Sequence, residues 1–389
     1  MQTECTDYMY ECEWTEDFLK RTAVNYHSDV VPEIKEVKDA TILPQKDAEG
    51  HPWGLGGAVY PDGAFVEESR MGETFGGSYP IKQEDVIDTK EKVYYIPIIP
   101  RHWGHFLLDV LCRFWFIANG TDEGCRIAFC GKDFPDHQIT GNYLEALNLL
   151  GIEESRLLFV DKPMRFSKIM IPEASYGDGK PYTDAYLAVI RWLKEKALTS
   201  KAIEDLQPIE KIYFTRTRFR RARMTEIGEK EIEELFHKNG FTVLAPEQLT
   251  VTEQIFYFSS AKEIAAISGT ISHNIVFCES GTEVAILNRC CLPNMAQFSI
   301  NQISKARITY IDVYAKETMR RPKYWPVWVE VNQSLLRFLD DKGYTEGRPS
   351  PFLMAKTKGN YFLQYQLLNM KMGVKRALRV IDLKSQCFI

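Results

Sequence analysis

The sequence predicts an α/β fold made of two doubly wound, parallel-sheet domains in tandem. Three observations carry this. Short apolar runs alternate with amphipathic segments from about residue 102 to residue 198. The same alternation restarts at Lys211. Between them lies Thr199–Glu210, a polar stretch ending in Gln207-Pro208 that has the composition of an interdomain linker. A chain of 389 residues agrees with two domains and a remainder, at about 150 residues per domain.

In the first alternation, His105–Ala118 reads as a helix and Arg126–Cys130 as a short apolar strand suited to a buried parallel sheet. A helix near Gly141–Leu150, strands at Leu157–Val160 and Lys168–Ile171, and a helix at Asp184–Leu198 follow. The second alternation opens with strand Lys211–Thr215, helix Gly228–Asn239 and strand Phe241–Leu244. It continues with helix Thr252–Ser260, strand Glu263–Ile267, helix Ser272–Phe277 and strands Glu283–Leu287 and Thr309–Val313. Residues 1–100 are dense in Gly and Pro and read as an irregular lead-in with short strands, including a hairpin turned by Asp62-Gly63. The expected domains are thus 1–100 (lead-in), 101–200, 208–318 and a carboxyl-terminal helical extension, 319–389.

Composition excludes several classes. Hydrophobic residues at 45% can bury a large core, which rules out a mainly disordered chain. A formal net charge of −5 argues against a dedicated nucleic-acid binder, so no nucleic acid is expected as a partner. The nine cysteines are scattered, with no Cys-x-x-Cys pair, so neither a zinc site nor a disulfide scaffold is expected. The amino terminus lacks the apolar core of a signal peptide, and no stretch approaches the roughly 20 apolar residues of a spanning helix. A cytoplasmic protein is expected.

Three motifs carry chemistry. In Trp103-Gly104-His105 … Asp109 … Arg113, the last three residues fall at i, i+4 and i+8. A regular helix would set them on one polar stripe about 80° wide, with Leu107, Leu108, Leu111, Cys112 and Trp115 toward the core. The stripe is either a surface ion pair or a positioned carboxylate able to take a proton. Second, Arg216, Arg218, Arg220, Arg221 and Arg223 follow directly on a strand, where open α/β sheets bind ligands. Their planar forks suit a phosphate clamp. Third, Gly269-Thr270-Ile271-Ser272-His273-Asn274 reads as a strand-to-helix turn with Ser272 as the N-cap. Its amides would form an anion site to which His273 and Asn274 add donors. Glu229–Glu234 reads as a solvated helix face.

Taken together, the order and spacing of these segments from about Ile42 to about Tyr314 resemble glycosyltransferase family 61, in particular its bacterial capsular-polysaccharide members. Gly104-His105 … Asp109 matches the family's Gly-His-x-x-x-Asp helix. Arg216, Arg223 and Glu226 match its arginine stretch, and Gln254-Ile255 … Phe258 … Ala261 its following helix. The sequence departs in places: Thr225 stands where many members have Asn, Ser268 replaces the first His of the family's His-Gly-Ala-Gly motif, and the run Ala285–Arg289 replaces a Glu at the end of the next strand.

The resemblance implies an inverting glycosyltransferase of two-Rossmann GT-B architecture, with the acceptor on the amino-terminal domain (the lead-in included) and the nucleotide-sugar donor on the carboxyl-terminal one. It implies no cofactor and no metal, and the sequence holds no Asp-x-Asp. The expected catalytic residues are Asp109 as base, with His105 orienting it or serving as the base itself. Trp103, Gly104 and Arg113 are expected at the acceptor or in support, with a pairing of Arg113 to Asp109 left open. Arg216, Arg223, Gly269, Thr270, Ser272, His273 and Asn274 are expected at the donor. The acceptor would be a glycan, lipid-linked or a capsular precursor. A nucleotide-sugar epimerase would need a second acid/base set that the sequence does not display. A non-catalytic binding protein of the same fold would be expected to lose Asp109 or the arginines, which are all present. The tail from Asn360 to Ile389 reads as basic amphipathic helix, either packed on the protein or contacting an anionic membrane surface peripherally.

Overall fold

The computed structural model describes residues 8–10, 20–131, 133–177, 181–220, 226–291, 294–316 and 326–386. In chain order its main strands are β1 (Tyr8–Tyr10), β2 (Ile34–Ala48), β3 (His51–Val59), β4 (Ile87–Asp88), β5 (Lys92–Ile98), β6 (Arg126–Cys130), β7 (Leu157–Phe159), β8 (Met164–Pro172), β9 (Lys211–Phe214), β10 (Thr242–Leu244), β11 (Glu263–Ile267), β12 (Glu283–Asn288) and β13 (Arg307–Asp312). The chain divides into two compact units, one of residues 25–206 and 250–256, the other of 1–24, 207–249 and 257–389. Both are mixed α/β.

The unit holding residues 25–206 is built on a sheet of order β3-β2-β8-β5-β6-β7, with β4 also paired to β8. β8, β5, β6 and β7 run parallel, as alternation predicts. β2 and β3 instead add an antiparallel edge, so this sheet is mixed rather than purely doubly wound. The lead-in is therefore more regular than expected. Its 15-residue strand Ile34–Ala48 pairs along β8, and Lys92–Ile98 is a central strand. The Asp62-Gly63 turn forms, but only as a short appendix closing Val59 on Phe65. Val93, Ile96, Phe129, Ile169, Tyr186 and Val189 are buried in this unit.

The second unit carries a six-stranded, fully parallel sheet of order β1-β13-β12-β11-β9-β10. Its strands match the periodicity within one or two residues. The exception is β1, which joins the edge of this sheet from the far amino terminus, a long-range pairing that no local pattern encodes. Tyr213, Ile232, Phe236, Leu287, Ile311 and Phe338 form its core. The helix Pro351–Gln386 lays Tyr365, fully buried, beside Trp328. Among the described residues no helix is long and apolar enough to cross a membrane. The six described cysteines are free thiols.

The predicted helix His105–Ala118 is not continuous. One α-turn, Trp103–His105, passes into a π-turn over Phe106–Val110 and a 3-10 turn over Leu111–Arg113, and helix resumes at Trp115–Ala118. Side groups claim the carbonyls that a regular helix would use. The Tyr186 hydroxyl donates to the Leu107 carbonyl at 3.2 Å, and the Ser175 amide and hydroxyl both donate to that of Cys112. Interruption of the i→i−4 ladder by such groups is a known cause of uneven winding.

Candidate functional site

β5 ends at Ile98, and the chain then turns through Pro100 into the segment that presents His105 and Asp109. His102 starts it, its ring accepting from the His105 amide. The single turn that separates His105 from Asp109 keeps them adjacent: His105 Nδ1 lies 2.7 Å from Asp109 Oδ2. His105 also stands edge-on to Trp53, ring centroids 4.7 Å apart. Its side chain is 35% exposed and that of Asp109 18%, so both reach solvent from an otherwise buried segment.

Asp109 lines a cleft of about 570 Å³ within this unit. Glu67, Glu68, Arg70, Glu173 and Tyr176 also face it. The chemistry offered there is that of a carboxylate held in one orientation by an imidazole, beside a space large enough for a sugar.

Arg113 does not complete a polar stripe. Uneven winding turns it inward, where it is 5% exposed. Its guanidinium donates to the carbonyls of Pro172 (2.7 Å), Arg70 (2.8 Å) and Glu68 (3.2 Å). Burial lowers its pKa. It is tied to backbone rather than hydrogen-bonded to Asp109, and it braces the cleft wall. Trp103 stacks on Phe106 and meets Tyr143 edge-on, half-buried, while Gly104 is buried. Both support the segment.

The second group lies in the other unit, at the carboxyl ends of β9, β11 and β12, which are adjacent in its sheet. Arg216 follows β9, and its Nε and Nη2 donate to Glu226 Oε2 and Oε1 at 2.9 and 3.0 Å. Arg289 follows β12, and its Nη1 donates to the same Glu226 Oε1 at 2.6 Å. Gly269 follows β11 with φ +145°, and a Cβ built there would lie 3.5 Å from Arg216 Nη1 and 3.6 Å from Arg289 Nη2. One carboxylate thus holds two guanidinium groups over a glycine turn. The loop is pinned further by Glu233, which accepts from the hydroxyls of Thr215 and Thr217. Glu229 accepts from the Arg216 amide at 2.8 Å and the Tyr213 hydroxyl at 3.2 Å. Burial pushes its carboxyl up to about 7, the Arg216 amide opposing and the charge of Glu226 adding to the rise. The Glu229–Glu234 face is therefore not simply solvated: its inner edge organises the arginine loop.

The turn after β11 differs from expectation. Gly269, not Ser272, is the N-cap, and the helix is a single turn, Thr270–His273, passing into a 3-10 turn over Asn274–Phe277. Ser272, His273 and Asn274 are buried. Ser272 Oγ donates to Gln297 Oε1 at 2.7 Å, and His273 Nε2 meets Asn294 Nδ2 at 3.0 Å. Ser272 and His273 hold the turn from beneath, leaving Gly269 and Thr270 partly open. Arg223 lies outside the described residues. Among the described residues, no three of His, Cys, Asp and Glu converge as a metal site.

The structure thus brings His105 and Asp109 together in one unit, and Arg216, Gly269 and Glu226 together in the other. Sequence reasoning missed Arg289, Glu229 and Gly177, at which a Cβ would lie 2.6 Å from Asp109 Oδ1. Arg289 did carry a signal, since it follows a strand end just as Arg216 does.

Residues 103–285 match the family model described as Glycosyltransferase 61. The match takes in His105, Asp109, Arg216, Glu226 and Gly269 and ends four residues before Arg289. No curated protein matches the chain.

Proposed function

Because residues 103–285 belong to glycosyltransferase family 61, we propose that this glycosyltransferase is an inverting enzyme with Asp109 as general base. It moves a sugar from a nucleotide-sugar donor to a glycan acceptor, lipid-linked or a capsular precursor, in the cytoplasm. The observation that carries the reading is the Asp109 carboxylate, oriented by His105 at 2.7 Å and facing a cleft of about 570 Å³. The acceptor hydroxyl is a weak nucleophile, so a base must take its proton as it attacks the anomeric carbon. Asp109 receives that proton as the new glycosidic bond forms and the bond to the nucleoside diphosphate breaks. The departing diphosphate gains charge, which Arg216 and the Thr270 amide at the Gly269 turn are proposed to meet, the Gly269 amide itself donating to Ser272 Oγ. Arg223 is proposed to join them, while Ser272 and His273 hold the turn. The fold class proposed with this reading is GT-B, and the diphosphate charge is proposed to be met by protein groups without a metal.

A second reading rests on the His105–Asp109 geometry itself. A carboxylate on Nδ1 fixes the imidazole tautomer with its lone pair on Nε2, which would make His105 the base and Asp109 its orienter. The experiment for both is release of nucleoside diphosphate from a panel of nucleotide sugars with oligosaccharide and lipid-linked acceptors. Asp109→Asn and His105→Gln are compared with the wild type. Loss in Asp109→Asn with substantial turnover retained in His105→Gln supports Asp109. Loss in both variants supports His105, since an Asn cannot hold the imidazole in the required tautomer, and full activity in both overturns the dyad.

A further inference from the structure

We propose that Arg289 is the second cation of a diphosphate site, acting with Arg216 across the Gly269 turn. This deepens the transferase reading and rests on it for the identity of the ligand. The strand-end run that contains Arg289 stands where the family resemblance expects a glutamate, so nothing in that resemblance assigns it a role.

Three features of the geometry support the site. First, two cations share one carboxylate. Glu226, its side chain 9% exposed, bonds both guanidinium groups, while the neighbouring carboxylates of Glu229 and Glu233 are engaged by the Arg216 amide and the Thr215 and Thr217 hydroxyls rather than by either guanidinium. Second, the donors are not used up. Glu226 engages Arg216 through Nε and Nη2 and Arg289 through Nη1. Among the described residues no protein acceptor takes Arg216 Nη1 or Arg289 Nη2. Those two nitrogens border the same turn, 3.5 and 3.6 Å from where a side chain on Gly269 would begin. Third, the pair is preorganised. The Arg289 amide donates to Ser268 Oγ at 3.2 Å, tying its backbone to the neighbouring strand end, and the Arg216 amide is held by Glu229. An anion that meets two fixed forks loses little free energy to ordering them.

A structural salt bridge would explain the Arg289–Glu226 contact alone. It would not bring one outer nitrogen of each arginine to the same turn while, among the described residues, neither has a protein acceptor. Lysine discriminates the two roles. It can pair with Glu226 and keep the fold, but its compact ammonium lacks the planar fork that puts one nitrogen on that carboxylate and another on an anion.

The test is calorimetric titration of the full chain with inorganic pyrophosphate and with uridine, guanosine, adenosine and cytidine diphosphates. Wild type, Arg289→Lys, Arg289→Gln and Arg216→Gln are compared, with thermal melts to verify folding. The proposal expects pyrophosphate and at least one nucleoside diphosphate to bind wild type. It expects Arg289→Lys to melt near wild type yet bind about 10- to 100-fold more weakly, the loss of one charge-assisted contact. Unchanged affinity in Arg289→Lys and Arg289→Gln, with loss in Arg216→Gln, overturns the role of Arg289 and leaves the transferase reading standing. Pyrophosphate binding that falls in both arginine variants, in a chain that transfers no sugar, supports the anion site and sinks the transferase reading instead. No binding of pyrophosphate or any nucleoside diphosphate to wild type overturns the site itself.

Discussion

Gly177 stands directly against the carboxylate of Asp109: a Cβ at position 177 would lie 2.6 Å from Asp109 Oδ1 and 3.2 Å from the Leu108 carbonyl. The Gly177 backbone has φ +101°, a conformation that disfavours any side chain. Both constraints make glycine the residue that lets Asp109 keep its orientation. Gly177→Ala is therefore expected to displace the carboxylate, at a cost of about 1–3 kcal/mol in stability and on the order of 10² in turnover. Paired melting and rate measurements check this. A variant that loses stability but keeps full turnover per folded molecule would show that Asp109 needs no such seat.

Asp109→Asn removes a base while preserving the shape and the contact with His105. Turnover should fall by about 10²–10⁴, with donor affinity unchanged, since the arginine group belongs to the other unit. The measurement is kcat together with the dissociation constant of the nucleoside diphosphate.

Glu229 makes stability depend on pH in a definite direction. Its folded-state pKa, near 7, is raised above the ordinary value of 4.5 by burial. Raising the pH from 4.5 through 7 therefore removes a proton that the folded state binds more tightly, and stability declines across that window. The size is at most about 3 kcal/mol, at 1.36 kcal/mol per unit. Glu229→Gln keeps an oxygen that can accept from the Arg216 amide and the Tyr213 hydroxyl but cannot ionise. Its melting temperature should exceed that of wild type at pH 8, and its own decline between pH 5 and pH 8 should be shallower. Equal pH dependence in the two proteins would place the titration elsewhere.

Transfer activity is expected to survive excess chelator, because Arg216, Arg289 and the Thr270 amide are proposed to carry the diphosphate charge. Abolition by chelator with rescue by manganese or magnesium would refute this.

The helix Pro351–Gln386 has two faces with different prospects. Tyr365 packs on its own unit, so truncation at Gly359 should destabilise the protein. On the outer side Phe352, Leu363, Leu367 and Met370, spaced by 11, 4 and 3, share one exposed stripe, at 78%, 62%, 51% and 67% exposure. The helix sequence carries seven basic residues against Asp382 alone, and each cation near an anionic surface contributes about 1 kcal/mol. Substituting Leu363, Leu367 and Met370 by Ser should weaken flotation with phosphatidylserine liposomes and leave the melting temperature unchanged. Equal flotation would rule out this stripe as the contact.

The sequence by itself determined the alternation of strands and helices from Arg126 to Asp312. It also determined the His105–Asp109 pair, because two residues four apart across one turn stay neighbours even when the winding is uneven. Tertiary structure decided what depends on distant partners. Arg113 left the predicted stripe because Tyr186 and Ser175, from a segment some 70 residues further on, claim carbonyls of its helix. Arg216, Gly269 and Arg289 met because β9, β11 and β12 lie side by side in a parallel sheet. Strand order follows from which apolar faces pack together, and no local period in the sequence records it. The same holds for β1, whose three residues find β13 across some 300 intervening positions. A local pattern sets the conformation of a segment, whereas which side chains share a site is settled only when the sheets assemble.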